Sequence, residues 1–217
     1  MKTIILTEKN SVVSQYLSEL RDIVIQKDSM RFRKNMSRIA SVASVEISKT
    51  LKYAPKDVQT PLGIAKCNVI ADKIVIASIL RAGLTLHNGI LEVFDHAESG
   101  FVAAYRKYGS DNKFLIQMEY ASHPKLEGKV LILGDCMVAT GSSLMLAYNK
   151  LIEDGEPLHT HIIAPIVSQA ALAYLSKQLP HKDVTIWVGA VDEELTNKAY
   201  IIPGLGDAGD LAYGNKL

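Results

Sequence analysis

Long hydrophobic runs are missing from this 217-residue chain. No apolar stretch approaches the ~20 residues a spanning helix needs, which excludes a helical membrane protein. The first apolar run, Ile4-Ile5-Leu6, soon meets Glu8 and Lys9 and is too short for a signal peptide. Cysteine is scarce: Cys67 and Cys136 are the only two, so no disulfide framework is expected. These absences predict a reduced, cytoplasmic protein. An excess of one charge is also missing. Lys and Arg total 24 against 23 for Asp and Glu, a net charge of +1. A dedicated DNA binder carries a larger basic surplus, so nucleic acid is not expected as the main ligand. Repeats, low-complexity tracts and long linkers are absent as well.

What is present is core material. Hydrophobic residues make up 48% of the chain and charged ones 22%, a balance that supports a folded globular protein. A chain of this size is expected to keep roughly 10,000 Å² accessible when folded. The length suits a single domain over 1–217, with a helical N-terminal part at about 10–52 and a core at about 70–192. Asn10-Ser11 can cap one helix, and Asp28-Ser29 a longer one carrying Phe32, Met36, Ile39, Ala43 and Ile47 at helical spacing. Pro61-Leu62-Gly63 between short apolar runs predicts a β-hairpin. Beyond it the pattern alternates. Strands are predicted at 73–80, 101–105, 114–120, 130–133, 161–164 and 184–188, and helices at 83–94, 143–153 and 169–177. Apolar strands separated by helices imply an α/β fold with a mostly parallel sheet flanked by helices. Ligands of such sheets sit past the carboxyl ends of the strands.

Three strand-end segments are informative. In the first, Val130–Leu133 is followed by Gly134, Asp135, Cys136, Met137, Val138, Ala139, Thr140, Gly141, Ser142 and Ser143. A small-residue turn opening a helix offers backbone amides and hydroxyls to an anion, and Asp135 can accept from sugar hydroxyls. The pair suits a ribose phosphate. An ordinary capped helix with Asp135 as a turn residue fits the same residues. In the second, Leu80-Arg81-Ala82-Gly83 places a cation at the mouth of an apolar strand, where arginine suits bidentate phosphate contacts. In the third, Gly204-Leu205-Gly206-Asp207-Ala208-Gly209 formally matches GxGxxG. A dinucleotide fingerprint must open a helix inside a βαβ unit, and too few residues follow Gly209 to build one. A tight loop whose exposed backbone meets a flat polar ligand is the better reading, with Asp207 and Asp210 able to bind a metal or orient that ligand.

Together these segments resemble the uracil phosphoribosyltransferases, a type I phosphoribosyltransferase family. Asp135–Ser143 looks like that family's phosphoribosyl-pyrophosphate (PRPP) loop, Leu80–Leu84 its pyrophosphate loop, and Tyr200–Asp210 its uracil loop. Arg31-Phe32-Arg33 and Tyr105-Arg106 match as well, in the same order along nearly the whole chain. The resemblance implies a type I fold with N-terminal helices, a β-hairpin and a C-terminal hood, the base loop and tail lying at 199–217. It implies that Arg81 and Arg106 hold pyrophosphate and Asp135 the ribose hydroxyls, while residues Cys136, Met137, Val138, Ala139, Thr140, Gly141, Ser142 and Ser143 form the PRPP loop. Ile201, Gly206, Asp207 and Ala208 would meet uracil, and Asp207 would also face the PRPP and its Mg²⁺. The implied reaction is uracil plus PRPP giving UMP and pyrophosphate. A GTP effector and a homo-oligomer, dimer or tetramer, are also implied. The sequence departs from the family's usual pattern at Ser78 and Cys136, where Pro is usual, and at Ser142, where Gly is usual. Lys107–Ser110 and Asp192–Ala199 depart too.

Other residues admit other readings. Cys136 beside an acid could be a nucleophile, but no feature places a histidine partner, and a packed small residue is expected. His159-Thr160-His161 puts two histidines on one strand face without further metal ligands; a solvated or interface pair is expected. The basic group Arg31, Arg33, Lys34 and Arg38 suggests a solvated or salt-bridged helix face. The rival reading is a nucleotide-sensing regulator without catalysis that binds RNA through this helix. A phosphoribosyltransferase for another base is a second alternative.

Overall fold

The computed structural model describes residues 1–108, 114–179 and 183–215, with the side chains of 104–119 left out of the description. Its centre is a sheet in the order β1-β10-β9-β7-β4-β5-β6. The strands are β1 (Lys2–Ile5), β4 (Ile74–Leu80), β5 (Glu98–Tyr108), β6 (Phe114–Ser122), β7 (Val130–Gly134), β9 (His159–Ser168) and β10 (Val184–Asp192). All pairs on this path are parallel except β5 with β6. A short β8 (Met137–Val138) rejoins the sheet beside β9. The expected mostly parallel sheet is therefore present. β1 is an addition: Lys2-Thr3-Ile4-Ile5 pairs with Thr185–Val188. Its β-branched residues were the available signal.

Alternation along the strands sorts the core into two layers. Ile74, Ile76, Val130 and Ile132 face one side, packed with Leu20, Phe32, Met36, Ile39, Leu86 and Ile90 from α1 (Val12–Arg21), α2 (Ser29–Ser48) and α3 (Gly83–Leu91). Val75, Ala77, Leu131 and Leu133 face the other, packed with Leu144, Tyr148, Ala171 and Leu175 from α4 (Ser142–Leu151) and α5 (Gln169–Gln178). Both predicted N-terminal caps form. Ser11 accepts from the Val13 N–H at 3.2 Å, and Asp28 from the Arg31 N–H at 3.0 Å. Such caps are worth about 1 kcal/mol each. The predicted hairpin is longer than the turn signal implied, running through β2 (Tyr53–Thr60) and β3 (Gly63–Ile70). It forms its own two-stranded sheet and leaves Leu62 and Ile64 exposed. The accessible surface is 11899 Å², above the size-based expectation, and this outstanding hairpin contributes to the excess.

The histidine pair corrects an expectation. His161 is buried, not solvated, and accepts from the Trp187 indole N–H at 3.1 Å, which leaves its own proton on Nε2. His159 is bonded to the Thr185 hydroxyl at 3.1 Å, and the two imidazoles lie 4.5 Å apart. Burial first, and then the neighbouring His159, push the His161 pKa down to about 3. Because the folded state resists protonation, the unfolded state binds more protons between pH 6.5 and about 3, and stability falls as pH falls through that window. His161 should make the protein about 2 kcal/mol less stable at pH 5 than at pH 7. Urea unfolding at both pH values, with His161→Gln alongside, measures this: the gap should shrink by that amount in the variant. An unchanged gap would refute it.

Candidate active site

The chain moves from β4 to β5 in one direction across the sheet, then returns to β7, β9 and β10 on the other side. The order therefore reverses between β4 and β7. At such a point the connections leave in opposite directions and open a crevice at the carboxyl ends of the strands. Leu80-Arg81 ends β4 and Gly134-Asp135 ends β7, so two of the three predicted segments flank this crevice.

The two segments pack closely. Ser78 is in register with Gly134. A Cβ on Gly83 would stand 3.1 Å from the Gly134 carbonyl oxygen, and one on Gly134 would meet Leu86 and Ser78 at 3.3 Å. Glycine thus lets α3 begin directly against β7. The Leu80–Arg81 peptide is cis. Arg81 donates to the Asp210 carboxylate at 3.0 Å and to the Gly214 carbonyl at 3.2 Å. Arg81, in the second segment, therefore touches the third.

After Asp135, whose N–H donates to Ile163 O at 3.1 Å, the chain runs through β8 and turns into α4. Cys136 and Val138 point into the core, while Met137 and Ala139 are half-buried. Gly141 caps α4 at φ +82, a left-handed conformation that a side chain resists. The Ser142 N–H donates to Thr140 Oγ1 at 3.3 Å, and the Ser168 hydroxyl holds the Ala139 carbonyl at 2.5 Å. The next amides, of Ser143 and Leu144, lie in the first turn, where N–H groups lack intrahelical acceptors and favour an anion.

The third segment has the expected tight loop at 203–207, set between a short strand and a six-residue helix that the sequence reading did not foresee. β12 (Ile201–Ile202) pairs with β11 (Glu194–Leu195), and a cis Ile202–Pro203 peptide follows. Gly204 has φ +55, and a Cβ there would fall 2.2 Å from the Ile201 carbonyl oxygen. Gly206, at φ +93, is exposed. Asp207 then caps the short α6 (Ala208–Tyr213) by accepting from the Asp210 N–H at 3.0 Å. The Ile201 side chain is buried, so its backbone is the part that can meet a ligand.

Arg106 lies on β5, but its side chain is outside the described residues, as is the segment at 109–113 that follows the strand. Sequence reasoning missed Arg21, Asp192 and Ser168. Arg21 and Asp192 pair across α1 and β10 at 2.7 Å and reach Gly204. Only tertiary structure brings them together, although Ser168 and Asp192 share the strand-end position that marked the other segments. The basic helix is partly engaged. Arg31 pairs with Glu19 at 2.8 Å and Arg33 donates to the Ala212 carbonyl at 2.7 Å. Among the described residues no group of three or more His, Cys, Asp or Glu could hold a metal. No described helix is long and apolar enough to cross a membrane.

Cys136 is not a nucleophile in this arrangement. Burial pushes its thiol up to about 12, so it stays protonated at neutral pH, and its neighbour at 3.5 Å is the Thr85 hydroxyl. A disulfide thiol reagent should therefore titrate one thiol, the exposed Cys67, in native protein and both after denaturation. Rapid native labelling of Cys136 would contradict this.

Comparison with known proteins agrees with the geometry. The model of the uracil phosphoribosyltransferase family matches residues 7–215. A uracil phosphoribosyltransferase of Porphyromonas gingivalis is 48% identical over the full length of both chains. One from Pyrococcus furiosus is 34% identical, covering 97% of this chain and 89% of its own. The solved AQ2163 protein of Aquifex aeolicus superposes with a TM-score of 0.86 at 29% identity, covering 98% of each chain. With a family match of that extent and full-length relatives of that identity, the chain belongs to the uracil phosphoribosyltransferase family.

Proposed function

We infer that this protein is a pyrimidine-salvage enzyme that joins uracil to the phosphoribosyl group of PRPP, forming UMP and releasing pyrophosphate. Family membership gives the reaction. The observation that carries its location is the convergence of three loops at one crevice, with Arg81 bonded to Asp210 across it.

The roles follow from chemistry. Breaking the bond from C1′ to pyrophosphate leaves oxocarbenium character on the sugar and negative charge on the leaving group. Arg81, and Arg106 from β5, would hold that charge. The α4 loop, from Ala139 to Ser143, would take the 5′-phosphate on amides and hydroxyls. Asp135 would accept from the ribose hydroxyls and fix the ring. The backbone of Ile201, Gly206 and Ala208 would hold uracil in line with C1′, a proximity effect worth several orders of magnitude. No protein nucleophile is required, in keeping with the protonated Cys136.

Mg²⁺ belongs to the same proposal. Such an ion needs only one or two carboxylates when substrate phosphates and waters complete its shell. Asp207, at the start of α6 in the segment that Arg81 contacts, is the carboxylate we assign to it. Bound there, the ion would neutralise charge on the diphosphate. A homo-oligomer, dimer or tetramer, is supported by exposed Leu62, Ile64 and Val69 on the hairpin. A GTP effector and a cytoplasmic location complete the reading. An RNA-binding regulator is not favoured, because Arg31 and Arg33 already have protein partners.

The test is UMP formation from labelled uracil, PRPP and Mg²⁺. Wild type should turn over, and Asp135→Asn should lower kcat/KM by about a hundredfold, the scale expected for a lost charge-assisted contact. Folded wild-type protein that makes no UMP, with or without GTP, would sink the proposal.

A further inference from the structure

Ile201 and Leu205 anchor the base loop in the core, but the stretch between them has few side chains with which to define its shape. Tyr200 and Ile202 are 44% and 41% exposed, Pro203 has no N–H, and Gly204 and Gly206 have no side chain. Such a loop takes its geometry from what grips its backbone. The grip is a guanidinium–carboxylate pair outside the loop. Arg21, the last residue of α1, donates from Nη1 and Nη2 to the two carboxylate oxygens of Asp192, at 2.9 and 2.7 Å. The same pair takes both polar groups of Gly204. The Gly204 N–H donates to Asp192 Oδ2 at 2.9 Å, and its carbonyl accepts from Arg21 Nη1 at 3.0 Å.

These two bonds fix the peptide units on both sides of Gly204, two residues before the exposed Gly206. Gln26 extends the same support. Its side chain donates to the Arg21 carbonyl at 3.2 Å, and its Oε1 lies 3.9 Å from where a Gly206 Cβ would stand. The carboxylate is 6% exposed and the arginine 24%. Burial of this kind gives back most of the Coulombic gain as desolvation, so stability alone is a weak reason for the pair. A rigid, planar, bidentate fork suits orientation better.

We propose that Arg21 and Asp192 are positioning residues for base recognition, holding the Gly204 backbone so that the loop presents its amides and carbonyls to uracil. The inference rests on the reading of 200–208 as the base site. The pair touches neither substrate; it sets how well the loop fits the base and leaves the sites for phosphate and pyrophosphate as they are. Asp192→Asn keeps one oxygen acceptor for Gly204 but loses the charge and the second guanidinium bond. Arg21→Lys keeps the charge and loses the fork.

The experiment is steady-state kinetics of the full chain with uracil and PRPP varied separately, for wild type, Asp192→Asn and Arg21→Lys. Amide hydrogen exchange over 200–208 is measured beside it, with UMP or ribose 5-phosphate bound. In wild type, UMP should protect these amides beyond ribose 5-phosphate. Both variants should raise the uracil KM by about tenfold or more and leave the PRPP KM within about twofold. If UMP protects the loop but the uracil KM is unchanged, or both KM values rise together, the positioning role is wrong and the pair only stabilises the fold. If UMP gives no base-specific protection, the base-site reading fails, and this inference fails with it.

Discussion

The reversal of strand order between β4 and β7 is the constraint on which the site depends. Both strands are buried on two faces, so their side chains are consumed by the core: Ile74, Ile76, Val130 and Ile132 on one side, Val75, Ala77, Leu131 and Leu133 on the other. Polar chemistry can then appear only where the strands stop. Because parallel strands all stop on one edge, Arg81, Asp135, Ser168 and Asp192 are gathered there by topology alone. The reversal supplies the room between them.

Arg81 gives that edge its connection to the C-terminal loop. Its pair with Asp210 has side chains 41% and 32% exposed, and a pair of that exposure adds at most about 1 kcal/mol to stability. Its value is therefore orientation. The guanidinium is held just past the end of β4, in contact with the segment that follows Asp207. Arg33 anchors the same short helix from the other side, through the Ala212 carbonyl and the Tyr213 ring. The tail thus bridges α2 and the segment that follows β4.

Much of this was legible in the sequence because it is local. Ser11 and Asp28 cap their helices, continuous apolar runs are the buried strands, and Gly141 and Gly204 occupy the left-handed positions their turns need. The misses are non-local. β1 forms because β10 offers an edge, and four residues carry no period long enough to announce that. β8 is two residues of a turn that happen to reach β9. His159 and His161 read as a solvated or interface pair. The burial of His161 and the bond of His159 depend on Trp187 and Thr185, which arrive from a strand more than twenty residues away. Arg21 and Asp192 are separated by 171 positions, and neither has a neighbour in sequence that marks its role.

The positions at which the sequence departs from the expected pattern also depend on non-local contacts. At Ser78 and Cys136 the resemblance leads one to expect proline, which contributes a fixed φ. Here each small polar side chain instead finds a partner on α3. Ser78 Oγ lies 3.1 Å from His87 Nδ1, and Cys136 Sγ lies 3.5 Å from Thr85 Oγ1. His87 reaches on to Ser99 of β5 at 3.1 Å, and burial holds its pKa below the usual histidine value, so the relay is neutral at pH 7. One helix therefore ties together β4, β5 and the chain after β7, the elements that frame the crevice. Ser142 follows the same logic on a smaller scale: its hydroxyl and its N–H both bond to Thr140. Hydrogen bonds beneath and beside the loop hold these residues in place. Arg81 and Asp135, which follow β4 and β7, therefore stand on a hydrogen-bonded base.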